Sequence, residues 1–317
     1  MDLYQQQARN RWATIGLLAA FTALLGGLGV AVHLSMPIEV PVAVGGASVP
    51  LPIVPVGVVV FSALTTWVSY FHGDRIVLAT MRARRLDPKA LKERQLQNVA
   101  EEMALASGLP VPALYVVPDT DLNAFATGRS PAHASLAVTE GLLDALDREE
   151  LQAVVAHEMG HIRNLDIRTM MIVGVLLGAV ALLGDMLVHL GGNGRDRRKG
   201  GSLPLVLIGF VTLLIARLIA MAVSRTREFE ADRSAAEFTR NPMALARALD
   251  KLEGAKAPTR FASQGSAHMF IVDPRVSALN DREDWLGNMF ATHPPIQARI
   301  KRLQAMGYDR TEASIAG

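Results

Sequence analysis

The chain has 317 residues, of which half are hydrophobic, with a mean hydropathy of +0.25, a formal net charge of +2 and no cysteine. Hydropathy that high argues against an ordinary soluble protein, and the missing thiols exclude disulfide frameworks, thiolate zinc sites and cysteine nucleophiles, so any metal must be held by His, Asp or Glu. The basic residues sit beside apolar blocks, which assigns the charge to membrane flanks and leaves a nucleic-acid partner without support.

In chain order, the stretch from Trp12 to Pro37 carries no formal charge apart from His33, and Val40 to Phe71 carries none. Each supplies the roughly 20 apolar residues that a bilayer-crossing helix needs, which predicts spans near 13–34 and 51–71. The first block lacks a small-x-small cleavage site, so it reads as a permanent anchor and not as a signal peptide. Arg9 and Arg11 precede it, Glu39 is the only charge in the 36–50 loop, and Arg75, Arg82, Arg84 and Arg85 follow the second block. Lys and Arg bias then assigns the start of the chain and the segment after residue 72 to the cytoplasm.

Residues 73–168 form the first cytoplasmic segment. "PKALKERQLQNVAEEMALASG" has helical spacing, with Leu91, Leu96, Val99, Met103 and Leu105 expected on one side and Gly108 as a stop. Three strand-like runs follow, "ALYVVP", "LNAFATG" and "ASLAVTEG". Asp147 with Glu150 three residues later is a capping-box arrangement opening a helix over "DREELQAVVAHEMGHIRN".

That helix carries H-E-x-x-H. His157 and His161 project from one face and can reach a single ion, while Glu158 borders the same site without having to bind it. In this pattern neutral imidazoles hold zinc and the glutamate takes a proton from the water that zinc acidifies. Two further apolar blocks, expected as a second membrane hairpin near 169–190 and 203–223, follow. The "GGNGRDRRKGGS" between them is basic, so either the earlier spans dictate topology or this hairpin does not cross fully.

A catalytic zinc usually has three protein ligands and one open position. Beyond the hairpin, residues 224–317 return as a second cytoplasmic segment with helices expected over "SRTREFEADRSAAEFTR" (224–240), 242–254 and 295–306. "REFEADRSAAE" offers Glu228, Glu230, Asp232 and Glu237. Glu228 and Asp232 share a helical face, so one can bind the metal while the other orients a ligand histidine, and spacing does not choose between them. Glu230 and Glu237 read as solvated.

"VVAHEMGHI", "SRTREFEAD", "LNAFATG" and "MFATHPPIQARIKRL", with four apolar blocks around them, resemble the HtpX family of membrane zinc metalloproteases, relatives of the CAAX prenyl proteases. The resemblance implies an α+β, mainly helical gluzincin-type domain with a small sheet plus four transmembrane helices, its active-site helix continuing towards the third span. It implies one zinc per chain held by His157, His161 and Glu228, with Asp232 buttressing the site. It also implies that Asn123, Ala124 and Phe125 form a substrate-side strand open to β-augmentation and that His293 steadies the oxyanion. The implied function is cleavage of misfolded or unassembled membrane proteins under stress, in a bacterial inner membrane with the catalytic domain cytoplasmic. A selective prenyl-peptide-type processing protease and an inactive zinc-binding scaffold are the rival readings.

Overall fold

The computed structural model describes residues 3–35, 37, 39–44, 47–192, 226–255, 270–271 and 294–315. Helix α1 (Leu3–Ser35) contains the first expected span and helix α2 (Ile53–Thr80) all but the first two residues of the second, and both are long and apolar enough to cross a membrane. Their outward faces carry Trp12, Leu34, Val59, Val60, Leu64 and Trp67, all exposed. Water does not tolerate so large an apolar surface, whereas lipid does. The 36–50 segment, expected as a loop, contains an antiparallel hairpin of β1 (Glu39–Val44) and β2 (Ala47–Pro52). The register pairs Val44 with Ala47 on either side of the sequence Gly45–Gly46, a dipeptide that is a hairpin signal in the sequence. The third apolar block forms helix α6 (Asp166–Gly192), and the fourth block lies outside the described residues.

Helix α3 (Leu91–Ser107) ends as expected at Gly108, whose φ of 69° is readily available to glycine. The Leu109 amide reaches back to the Ala104 carbonyl at 3.0 Å, closing the helix end. Its buried face is Leu96, Val99, Ala100, Met103 and Ala104, while Leu91 and Leu105 point to solvent. The expected stripe was wrong at both ends, because nine residues at about 100° each place Leu105 opposite Leu96.

A four-stranded sheet is built from β3 (Arg84–Arg85), β4 (Ala113–Val117), β5 (Ala124–Gly128) and β6 (Ala134–Thr139), in the order β3-β4-β6-β5. The β4–β6 pair is parallel and the other two are antiparallel, leaving β5 on an edge. A short helix α4 (Glu140–Ala145) leads into α5 (Arg148–Arg163), where the capping box is present: Glu150 N–H donates to Asp147 and Asp147 N–H to Glu150, each at 2.9 Å. From Ala153 to Ile162 every side chain of α5 is buried. It lies between α3 and the sheet on one side and α7 (Thr226–Thr239) and α8 (Pro242–Gly254) on the other, with α9 (Ile296–Ile315) packed on α8. Gly160 allows the close α5–α7 crossing, since a Cβ there would stand 2.9 Å from Ser234 Cβ and 3.2 Å from Ala231 Cα.

The active-site helix does not run straight into the third block. It stops at Arg163, Leu165 takes a left-handed φ of 62°, and α6 starts afresh at Asp166. The left-handed residue carries a steric cost for a leucine, and the reorientation turns Asp166 back towards α5.

One ion-pair cluster ties the sheet to α3. The Arg84 guanidinium donates to both Glu93 oxygens at 3.0 and 2.7 Å, and Asp87 N–H adds a bond at 2.7 Å. Arg84 holds the Glu93 carboxyl below its usual value of 4.5. A depressed carboxyl contributes stability that is present above the unfolded value and lost as pH falls through the folded one. Glu93→Gln should therefore lower stability at pH 7 by about 1 kcal/mol, a figure kept small because Arg84 is partly solvated. Thermal melts should show that deficit closing as the wild-type carboxyl is protonated in acid.

Candidate metal centre

The break between α5 and α6 and the close α5–α7 crossing together bring His157, His161 and Glu228 to one point. Their ligand atoms lie within 4.8 Å of one another, and all three side chains are buried. His157 Nε2 is 3.6 Å from one Glu228 oxygen and His161 Nε2 is 3.6 Å from the other. Ligand atoms around a tetrahedral zinc stand about 3.3–3.5 Å apart, given bonds of about 2.0–2.1 Å, so the three donors need only a small closure to meet on such an ion.

Each imidazole is fixed through its other nitrogen. His157 Nδ1 lies 3.0 Å from Asp232 and His161 Nδ1 lies 3.1 Å from Asp166. Carboxylates in that position set the tautomer that leaves Nε2 free to ligate. Geometry distinguishes the two carboxylates: Glu228 faces both Nε2 atoms, and Asp232 stands behind His157. Glu237 turns to Arg163 at 3.3 Å and takes no part.

Arg299, which the sequence reading left unassigned, is fully buried in this cluster. Its Nε and Nη2 donate to the two Asp232 oxygens at 2.9 and 2.7 Å, and its Nη1 lies 3.1 Å from Glu228. Nη1 also donates to the Ile271 carbonyl at 3.0 Å. The carboxylates of Glu158, Glu228 and Asp232 around one guanidinium leave two negative charges, which a divalent cation would balance. Asp166 has its own cation, Arg227, at 3.5 Å.

Electrostatics follow from this crowding. Burial acts to lower His157, but the bonds to Asp232 and Glu228 outweigh it and its pKa is pushed up to about 9. A proton and a cation then compete for the same imidazole, so metal uptake releases a proton. Burial works to raise the Asp232 carboxyl, yet Arg299 and His157 together hold it below the usual carboxylate range. Glu158 moves the other way: burial raises it, and the two histidines offset only part of that.

The Ala126 backbone N–H of β5 faces the Glu158 carboxylate and acts to lower its pKa. In that strand the Asn123 carbonyl turns inwards to Thr139 N–H at 3.0 Å, and the Ala124 carbonyl turns outwards to Ile271 N–H at 3.2 Å. Alternation gives Ala126 the outward orientation too, so the strand edge beside Glu158 consists of Ala124 and Ala126. The Phe125 side chain packs edge-to-face on Phe270 with centroids 5.3 Å apart, among Val77, Met81 and Met170. His293 lies outside the described residues.

The sequence profile of Peptidase family M48 matches residues 90–307, which cover both halves of this centre. The chain belongs to peptidase family M48. It is therefore a metalloprotease homologue, and its curated relatives agree. A protein named Protease HtpX homolog from Caldanaerobacter subterraneus subsp. tengcongensis is 42% identical over 257 residues, 78% of this chain and 83% of that one. Another of that name from Syntrophobacter fumaroxidans is 39% identical over 305 residues, 94% of this chain and 99% of its own. The crystal structure of S. mikatae Ste24p is similar at 18% identity and a TM-score of 0.47, over 77% of this chain and 57% of that one. The M48 match spans the histidine helix, the Glu228 helix and Arg299, the elements that converge in space.

Proposed function

We propose that this M48 chain is a multi-pass, zinc-dependent endopeptidase with a cytoplasmic active site, cutting misfolded or unassembled membrane proteins. The observation that carries the reading is the convergence of His157 Nε2, His161 Nε2 and Glu228 with a buried Glu158 beside them. A purely structural zinc site would have no use for that fourth group. The basic residues flanking α1 and α2 support the orientation. The four-span arrangement, with the hairpin over 169–223 dividing the protease domain, is part of the same proposal.

His157 and His161 would hold the zinc through Nε2 and Glu228 through its carboxylate. When bound, zinc supplies the acidity that lowers a water pKa from about 15.7 to about 7. Glu158 would take a proton from the attacking water as the water oxygen bonds to the scissile carbonyl carbon. It then returns the proton to the amine nitrogen as the C–N bond breaks. Ala126 N–H, which faces the Glu158 carboxylate, would favour its charged form before and after the two transfers. An extended substrate would add along the β5 edge, where it would have to replace the Ile271 N–H on the Ala124 carbonyl, with Asn123 and Phe125 fixing that strand against β6 and the core. His293, which precedes the helix that delivers Arg299, is assigned to the developing oxyanion.

Cleavage of unfolded casein by detergent-purified protein, stripped with chelator and then resupplied with zinc, tests the reading. Cutting should vanish on stripping and return with zinc. If the protein takes up zinc and leaves casein intact, broad quality control is wrong, and a selective processing enzyme or a scaffold replaces it.

A further inference from the structure

Asp166, which orients His161, is completely buried, and its second oxygen is engaged from an unexpected direction. Asn10 of α1, itself 2% exposed, donates from Nδ2 to Asp166 Oδ1 at 2.7 Å. The same amide reaches the Asn164 carbonyl at 2.8 Å, and Gln7 Nε2 reaches the Arg163 carbonyl at 2.8 Å. These are carbonyls at the C-terminal end of α5, where a helix leaves its last acceptors without intrahelical donors. One turn further along α1, Thr14 bonds Thr169 of α6 at 2.7 Å. The first apolar helix thus closes the end of the histidine helix and grips the carboxylate behind one of its histidines.

We infer that Asn10 is a positioning residue for the metal centre, acting on His161 through Asp166, so that the centre is complete only when α1 is docked. Two contacts with different consequences make this more than packing. The bond to the Asn164 carbonyl holds the left-handed corner at Leu165. The bond to Asp166 Oδ1 fixes that carboxylate's rotation, so that Oδ2 meets His161 Nδ1. Without Asn10, Asp166 retains Arg227 at 3.5 Å, which also approaches Oδ1 and has no bond to the corner. Asp166 is then free to rotate towards the guanidinium, and His161 loses its fixed orientation. Groups behind a ligand typically change metal affinity about 10- to 100-fold, and Asn10, one bond further out, should act near the lower end.

The inference rests on the proposed zinc role of His157, His161 and Glu228, and its test reads metal binding and not proteolysis. Zinc affinity of the full chain in detergent is measured by chelator competition for wild type, Asn10→Ala, Thr14→Ala, Asp166→Asn and the Asn10→Ala/Asp166→Asn pair. Cobalt absorption spectra of the same proteins report ligand geometry. Asn10→Ala should weaken zinc about tenfold and alter the cobalt spectrum. Thr14→Ala, which cuts an α1–α6 bond and a bond to the Asn10 backbone carbonyl but leaves the Asn10 side-chain amide and its partners in place, should leave both unchanged while lowering the melting temperature. In the Asp166→Asn background Asn10→Ala should add little. If Asn10→Ala does not fold, Asn10→Ser is measured against the same controls. Equal zinc affinity in Asn10→Ala and wild type, or equal losses in Asn10→Ala and Thr14→Ala, overturns the inference. A wild type that binds no zinc overturns the functional reading along with it.

Discussion

Replacing Glu158 by glutamine should lower the rate of peptide hydrolysis about 10³- to 10⁴-fold while leaving zinc bound with little change in affinity. General acid–base groups contribute about 10²- to 10⁴-fold, and Glu158 is expected at the upper end because it handles the proton in both halves of the reaction. The substitution is clean here. Glutamine keeps the volume and an acceptor oxygen beside the Ala126 N–H, and it removes only the ability to carry the proton. Burial also raises the Glu158 carboxyl above the ordinary glutamate range, bringing it closer to the neutral pH at which it must both accept and return a proton. Single-turnover measurements on zinc-loaded protein would decide the matter. A variant retaining more than about a tenth of the wild-type rate is incompatible with Glu158 as the catalytic base.

Removing Arg299 should have the largest effect on the folded state. Its guanidinium is fully buried and is the cation that joins Asp232 to Glu228. Truncation to alanine leaves these two carboxylates, with Glu158 beside them, short of a positive charge in a region closed to water. Breaking a buried ion pair on one side typically costs about 3–5 kcal/mol. In a chain of this size that corresponds to a fall in melting temperature of roughly 10 °C, taking about 2–4 °C per kcal/mol. Arg299→Lys should recover little, because one ammonium cannot reproduce the paired bonds to both Asp232 oxygens. Calorimetry with and without zinc separates the two contributions: bound zinc should narrow the deficit by supplying the missing charge. A melting temperature unchanged in Arg299→Ala would contradict the charge accounting at this centre.

Much of the fold was readable because local signals agreed with tertiary demands. The capping box at Asp147, the glycine stop at Gly108 and the three strand runs all appear where their residues predicted. His157, Glu158 and His161 were legible because helical spacing alone puts them on one site. What stayed hidden depends on contacts distant in sequence. Arg299 sits in "IQARIKRL", where it reads as one more basic residue on an amphipathic helix, and only the α9 packing buries it. Asp166 and Asn10 are separated by 156 residues, so no pattern links them. Asp166 did carry one weak signal, an acidic residue five positions after His161. The break at Leu165 carried only a weak one, the Asn164 that caps α5, and the contacts of the corner impose the left-handed φ on a leucine.

The ligand set is the centre of this account, and zinc binding by Glu228→Ala and Asp232→Ala tests it most directly. Glu228 faces both Nε2 atoms whereas Asp232 stands behind His157, so the two variants should separate. Wild type should hold one zinc per chain. Asp232→Ala should hold it about 10- to 100-fold more weakly, and Glu228→Ala, lacking a ligand, should weaken it further still and lose the geometry reported by bound cobalt. If Glu228→Ala keeps zinc as tightly as wild type while Asp232→Ala releases it, the carboxylates have exchanged roles and the assignment of the centre is wrong.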